Sequence, residues 1–284
     1  MPNSITLPVQ YQEAADLIYK VASLTSILDN GDIKMVGKEI KVKKISVDGP
    51  ADIARGGAYV GGDATAAYET KTPNYDRARK FSIDALDEEE LGGLYMDVLA
   101  EYVRTKLAPE IDADRFATFA STSSILTVAG ATLSTASDFL TALNVAMGTM
   151  DTNEVPTEGR ILYAEASLLR AVQALDTTKS RETLASFARV IPVPQGRFYT
   201  AITKYDGTTG GQTAGGYIKD GSTGKDINFL IIHPSAILQG VKRTVTPVAL
   251  PDTDYDSYRV ANRTYGIHVV YDNKVNGIYL HKKA

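Results

Sequence analysis

Cysteine and tryptophan are both missing from the sequence, and histidine occurs only three times. Without cysteine the chain can form no disulfide, carry no thiolate nucleophile and offer no thiolate to a metal. The histidines, His233, His268 and His281, stand in separate segments, none with a partner at metal-ligand spacing, and they read as structural. A basic excess is lacking too: the net charge is −4 and the isoelectric point is near 5.5. A protein whose task is to grip nucleic acid needs a cationic surface, so that class is disfavoured, although a container for nucleic acid is not. No apolar stretch approaches the roughly 20 residues that cross a bilayer. The first residues show no basic cluster followed by an apolar run, so no secretory signal is expected and the protein is expected to be made and kept in a cytosol.

What remains is ordinary for a folded protein: 284 residues, 44% hydrophobic and 23% charged, enough for one large domain or two modest ones. Sixteen tyrosines carry most of the aromatic content. They either replace other aromatics in the core or serve half-wet contacts between chains, and the second use is slightly favoured.

Along the chain, Ala14, Leu17, Ile18, Val21, Leu24 and Ile27 or Leu28 recur at helical spacing before a turn at residues 29–32. A short terminal helix of this kind must dock its stripe on the body or on a neighbour. Residues 38–47 alternate like a strand, but Ile40 and Val42 fall on one parity and Ile45 and Val47 on the other. That slip at Lys43-Lys44 predicts a β-bulge. A long glycine-rich tip follows, and residues 74–83 read as the returning strand, with Arg79, Phe81 and Ile83 on one face. Two polar strands closed by such a tip form a ribbon. A two-stranded ribbon is marginal in water, and its open edges invite pairing with other chains.

The clearest helix begins at Asp87, with Glu90 completing a capping box, and keeps one apolar stripe from Leu91 to Leu107. Pro109 must kink or restart it, and Ile111, Phe116 and Phe119 extend it towards Ser121. Asp112 and Asp114 read as solvated or paired with Arg115. Beyond lie a short strand before residue 136, a helix capped at Ser137-Asp138, and a buried strand at residues 161–164. A helix over about 165–175 and a proline-bearing edge segment at 190–194 follow. Residues 206–224 read as a mobile surface loop, 227–232 as a central strand and 233–241 as a short helix. Two last strands fall at 266–271 and 277–281.

No catalytic constellation emerges. Residues 221–226 have a superficial likeness to a phosphate-binding loop, but the first glycine is misplaced and Asp226 stands where magnesium needs a hydroxyl. Glu88-Glu89-Glu90 is explained by helix-start stabilisation. No enzyme activity and no cofactor is expected.

The order of parts resembles the major capsid proteins of tailed bacteriophages, the Hong Kong 97-like family. Local phrases carry the resemblance: residues 107–116 (Leu-Ala-Pro-Glu-Ile-Asp-Ala-Asp-Arg-Phe), 155–163, 228–236, 263–271 and 277–281. The resemblance implies an α+β fold with an N-terminal arm (1–31), a projecting β-hairpin or E-loop (32–84) and a peripheral-domain spine helix (85–122). An axial domain (123–245) and C-terminal strands returning to both domains (246–284) complete it. It implies a virion protein that assembles with itself, through hexamers and pentamers, into an icosahedral head in the host cytoplasm. The head would enclose double-stranded DNA without reading its sequence. No long charged segment precedes the arm, so a separate scaffolding protein is implied, along with a portal; no membrane is involved. Lys71, Arg77, Arg79 and Lys80 would face a neighbour's carboxylates. The resemblance identifies no covalent crosslinking residue. An encapsulin-type bacterial nanocompartment, or another virion protein such as a tail-tube subunit, is the alternative.

Overall fold

The computed structural model describes residues 22–29, 39–53, 55–87, 94–128, 130–175, 177–245 and 257–284. The apolar stripe from Ala14 to Val21 and the capping box at Glu90 lie outside these residues.

The core is a five-stranded mixed sheet. Its members are β4 (Leu126–Thr127), β5 (Ile161–Glu165), β6 (Arg189–Val193), β9 (Ile227–Ile232) and β12 (Ile278–Lys282), in the order β4-β12-β9-β5-β6. β9 is apolar almost throughout because both faces of the sheet are covered. Tyr163, Leu230, Ile232 and Leu280 point to one side, where Phe116, Phe119, Phe198 and Leu28 complete a cluster. Leu162, Phe229, Ile231 and Tyr279 point to the other, against Phe139, Leu143, Met150, Leu169 and Val172. Those last residues come from α3 (Ala136–Thr152) and α4 (Ala166–Leu175); α5 (Thr178–Ala185) packs beside them. Each such buried side chain contributes roughly 1.5–3 kcal/mol before ordering costs. β6 is the edge strand, where Pro192 needs no ladder partner on its open side, as its sequence predicts.

α3 starts one residue before its expected cap pair. Thr135 is the N-cap, and its hydroxyl and the Asp138 carboxylate close a reciprocal box.

The spine helix is made of α1 (Leu94–Tyr102) and α2 (Ala108–Ser121), joined by a π-helical turn at Val103–Leu107. Pro109 has no N–H to give to the preceding turn and sits in the first turn of α2. The widened turn takes up the mismatch, and Tyr102, Leu107 and Ala108 all keep helical backbone angles, so the second helix follows the first without a break. From Leu94 to Ser121 the rod spans roughly 40 Å at about 1.5 Å per residue.

Against the rod lies a three-stranded antiparallel sheet in the order β10-β11-β3, built from β3 (Tyr75–Asp84), β10 (Ile237–Val245) and β11 (Ser257–Val270). Two expectations fail here. Residues 237–241 are strand, not helix; only Pro234–Ala236 forms a helical turn. The helix-like spacing of Ile237, Leu238 and Val241 is overridden by a ladder with β11. There a Cβ on Gly266 would lie 2.8 Å from the Gly240 carbonyl oxygen, so that crossing needs a bare backbone. Second, residues 75–84 do not pair with the ribbon's first strand. They pair with β11 from Ser257 to Gly266.

The ribbon consists of β1 (Ile40–Val47) and β2 (Ala64–Lys71), in one unbroken register from Ile40↔Lys71 to Val47↔Ala64. The expected bulge at Lys43-Lys44 is absent. The segment expected to be a surface loop, residues 206–224, is loop and turn except for β8 (Tyr217–Lys219), which pairs with β7 (Ile202–Lys204) to make the segment the end of a hairpin.

Candidate functional site

The ribbon has two unlike faces. In an antiparallel ladder, directly opposed residues share a face. Ile40, Glu69 and Lys71 therefore lie on one side, and at the base this side rests on the chain's own body. Ile40 is buried against Leu238 and Ile267. Lys71 Nζ lies 2.9 Å from Asp272 Oδ1 and also pairs with Glu69. Burial works against the Lys71 ammonium, but these two carboxylates prevail and raise its pKa. On the opposite side of the base, Lys41 and Thr70 are exposed. Further out, that opposite side becomes apolar: Ile45 and Val47 sit across from Ala66 and Ala64, beside Tyr68. Ile45 is 58% exposed, Val47 69% and Tyr68 68%. At the tip Ile53, Tyr59 and Val60 are exposed as well.

The four cations expected to meet a neighbour are dispersed. Lys71 belongs to the ribbon base, while Arg77, Arg79 and Lys80 belong to β3. Arg77 Nε donates to Glu110 Oε1 at 2.6 Å, and this carboxylate outweighs burial to raise the arginine's pKa. Arg79 donates to the Thr213 carbonyl at 3.1 Å, tying β3 to the β7–β8 hairpin. Lys80 is exposed on the alternate face. Arg77 and Arg79 line an open cleft of about 680 Å³ with Tyr102, Lys106, Tyr199 and Tyr217. Half-buried tyrosines thus gather in this cleft, whereas Tyr75, Tyr163 and Tyr279 are core residues. Tyrosine serves both uses.

The residues that sequence reasoning misjudged lie on α2. Asp112 and Asp114 are buried, not solvated, and neither takes Arg115 as its partner. Asp112 accepts from Ser23 Oγ (2.6 Å), Leu24 N (2.9 Å), Thr25 N (3.2 Å) and Thr25 Oγ1 (2.7 Å). Arg197 approaches it at 3.4 Å. Arg115 is 1% exposed; it donates to Thr25 Oγ1 at 2.9 Å and pairs with Asp29 at 3.0 Å. Gln239 Nε2 reaches the Thr25 carbonyl at 2.7 Å. These bonds clamp residues 23–29 onto the spine. Asp114 meets His268 Nε2 at 3.0 Å and Lys204 Nζ at 2.9 Å. Burial raises the Asp114 carboxyl, but His268 and Lys204 together hold it below its usual value. For His268 burial dominates and lowers the pKa, so the neutral ring donates to Asp114 near pH 7. Tyr75 lies beside them, 3.2 Å from Glu110 Oε1, and burial pushes its hydroxyl well up. One signal was present in the sequence. Residues 110–115 interleave charges with Ile111 and Ala113 and leave no wholly polar face, as in a helix covered on all sides.

The three histidines stand apart. His233 bonds Ser235 and the Glu158 carbonyl, and His281 bonds Asn228, each in different surroundings from His268. Among the described residues no group of three or more His, Asp or Glu could hold a metal ion. The phosphate-loop likeness at 221–226 fails for a local reason. Asp220 already accepts from the Ser222 and Thr223 amides at 3.0 and 2.8 Å, so those donors are filled by a carboxylate. Asp206 does the same for Thr208 and Thr209. These bonds hold both carboxyls well below the ordinary range. No described helix is long and apolar enough to cross a membrane.

No family model and no curated protein sequence matches the chain. Solved structures do. The capsid of the cyanophage P-SCSP1u matches at a TM-score of 0.60 and 14% identity, over 90% of this chain and 86% of that one. The capsid of Staphylococcus phage Andhra matches at 0.59 and 10% identity, over 93% and 84%. A virus-like particle from Pyrococcus furiosus matches at 0.61 and 11% identity, over 98% and 100%. At such identities the likeness speaks for the fold. The chain has the α+β fold of tailed-phage capsid proteins, the Hong Kong 97-like fold.

Proposed function

We propose that this chain is a structural shell subunit, the major capsid protein of a tailed bacteriophage. It would assemble with itself through hexamers and pentamers into an icosahedral head around double-stranded DNA. One observation carries the reading: a ribbon too thin to bury anything holds Ile45, Val47, Ile53, Tyr59, Val60 and Tyr68 in water. Large exposed apolar patches mark interaction surfaces, and a two-stranded ribbon gains its order from what covers it. The capsid fold supplies the natural cover, another copy of the chain.

In this reading residues 1–31 are an arm whose residues 23–29 are held by Asp112 and Arg115, residues 32–84 carry the projecting ribbon, and 85–122 form the spine. Residues 123–245 form the axial domain at the capsomer centre, and 246–284 return to complete both sheets. Copies related by rotation make heterologous contacts that close into rings. Each contact is weak, and the shell is stable because every subunit makes many. Scaffolding protein and portal are further partners, DNA is enclosed without sequence readout, and the subunit performs no catalysis. Lys80 and the tyrosine-lined cleft beside Arg77 and Arg79 are candidate contact points.

The full-length match to a virus-like particle favours one second reading, an encapsulin-type compartment around cargo instead of a genome. Nucleic acid in the purified particles separates the two.

The test replaces residues 45–66 with Asn-Gly, closing the ladder at Lys44 and Ala67 with a two-residue turn. The subunit should unfold at the same denaturant concentration as the parent while electron microscopy shows no closed shells. Normal shells from this variant would refute the proposal's use of the ribbon.

A further inference from the structure

The ribbon's unbroken register makes the parity switch in β1 informative. With no bulge between Ile40 and Val47, even-numbered and odd-numbered residues of β1 stay on opposite faces throughout. Ile40, Glu69 and Lys71 define the face that rests on the chain's own Leu238, Ile267 and Asp272. The outer half of that same face is small and polar: Lys44, Ser46, Thr65 and Ala67. The opposite face carries Ile45, Val47 and Tyr68, with Ala64 and Ala66 between them. A ribbon laid flat on one continuous surface would keep its apolar residues on one parity. This one does not.

We infer that the ribbon is clamped from two sides: its own body covers one face at the base, and a second copy of the chain covers the opposite face at the outer end. Ile45, Val47 and Tyr68 are the anchors of that contact. The inference rests on the shell reading above and deepens it by assigning the face. Charge favours another copy as the cover. β1 carries Lys41, Lys43 and Lys44 with no carboxylate, while the chain as a whole has a net charge of −4. Lys41 and Lys43 flank the apolar anchors on the same face, where they meet an acidic protein at the rim of a dry contact.

The absence of cysteine makes a direct test available. Adjacent positions on the two faces receive single cysteines, Val47→Cys against Ser46→Cys, and Tyr68→Cys against Ala67→Cys as a second pair. A thiol reagent is applied to free subunits and to assembled shells. All four sites should react in the free subunit. On assembly Val47→Cys and Tyr68→Cys should slow by roughly tenfold or more, as access to a thiol is lost, while Ser46→Cys and Ala67→Cys change by about twofold or less. Protection of Ser46→Cys and Ala67→Cys instead, or equal protection of both faces, overturns the face assignment and leaves the shell reading standing. Unprotected cysteines on both faces within intact shells overturn the ribbon contact itself. A parent chain that forms no assembly removes the second copy and takes both proposals down.

Discussion

Helix α2 keeps Glu110, Asp112, Asp114 and Arg115 inside the body, whereas the β1–β2 ribbon holds Ile45, Val47 and Tyr68 out in water. Each inverts the ordinary rule of burial, in opposite directions. The difference lies in where the partners are. The buried charges on α2 find partners within the chain: Arg77 for Glu110, residues 23–25 for Asp112, His268 and Lys204 for Asp114, Asp29 for Arg115. Charges enclosed in this way cost little net stability while paired and a great deal when one partner is removed. Ile45, Val47 and Tyr68 stay largely exposed and are in none of the buried clusters of the described residues. One region is completed within the chain; in the proposed shell the other is half of an interface.

The largest effect should come from breaking the completed side. Asp112→Ala leaves Ser23, Thr25 and the Leu24 amide without their acceptor and Arg197 without its counter-charge. The subunit should lose ~3–5 kcal/mol of stability, read as a lower denaturant midpoint at unchanged slope. A loss near zero would mean that the arm's turn is not held through α2.

Acid should act on the same region more gradually. His268 has a folded pKa below its unfolded value of about 6.5, so the unfolded chain binds the extra proton. Stability is therefore fully present above that value and falls as pH drops below it, by at most ~1.4 kcal/mol per pH unit for this one group. Asp114, also lowered, adds a second loss below its ordinary value of 3.8. The groups facing His268 are Asp114, Lys204, Arg115 and Tyr75, and the proton of His268 itself should act between about pH 4.5 and 6.5. The variant His268→Gln keeps a donor for Asp114, and its stability should be flatter across that interval. Parallel curves for parent and variant would remove His268 from the account.

The smallest effect is expected where conventional hydrophobic reasoning predicts a large one. Ile45→Ser with Val47→Ser should change the free subunit's stability by no more than ~0.5 kcal/mol, because both side chains are already in water. A loss of several kcal/mol on chemical unfolding would show that these residues are core, and the contrast between the two regions would disappear.

The sequence made the buried elements legible because their pattern is local. The apolar run at 227–232 is short enough for a central strand and is one, buried throughout, and Pro192 placed β6 at an edge. The spine was legible from its stripe and from Pro109, though not its π-helical turn. β2 was missed because Ala64-Thr-Ala-Ala-Tyr-Glu-Thr-Lys71 has weak strand propensity and only alanines beside Tyr68 on its apolar side. β10 was misread because Ile237, Leu238 and Val241 suit either period until β11 is alongside. The parity switch in β1 was seen but assigned to a bulge, since a single strand cannot show whether its ladder is continuous.

By itself the sequence determined which segments are apolar, where the spine and the sheet-covering helices lie, and that chemistry by cysteine is excluded, because each follows from composition or from residues close together in the chain. Only the tertiary structure decided which strands pair, which carboxylates are buried and which apolar side chains are left uncovered. Those outcomes depend on partners up to about 200 residues away, such as Gln239 on Thr25 or Asp272 on Lys71, and burial is a property of the surface a residue meets, not of the residue.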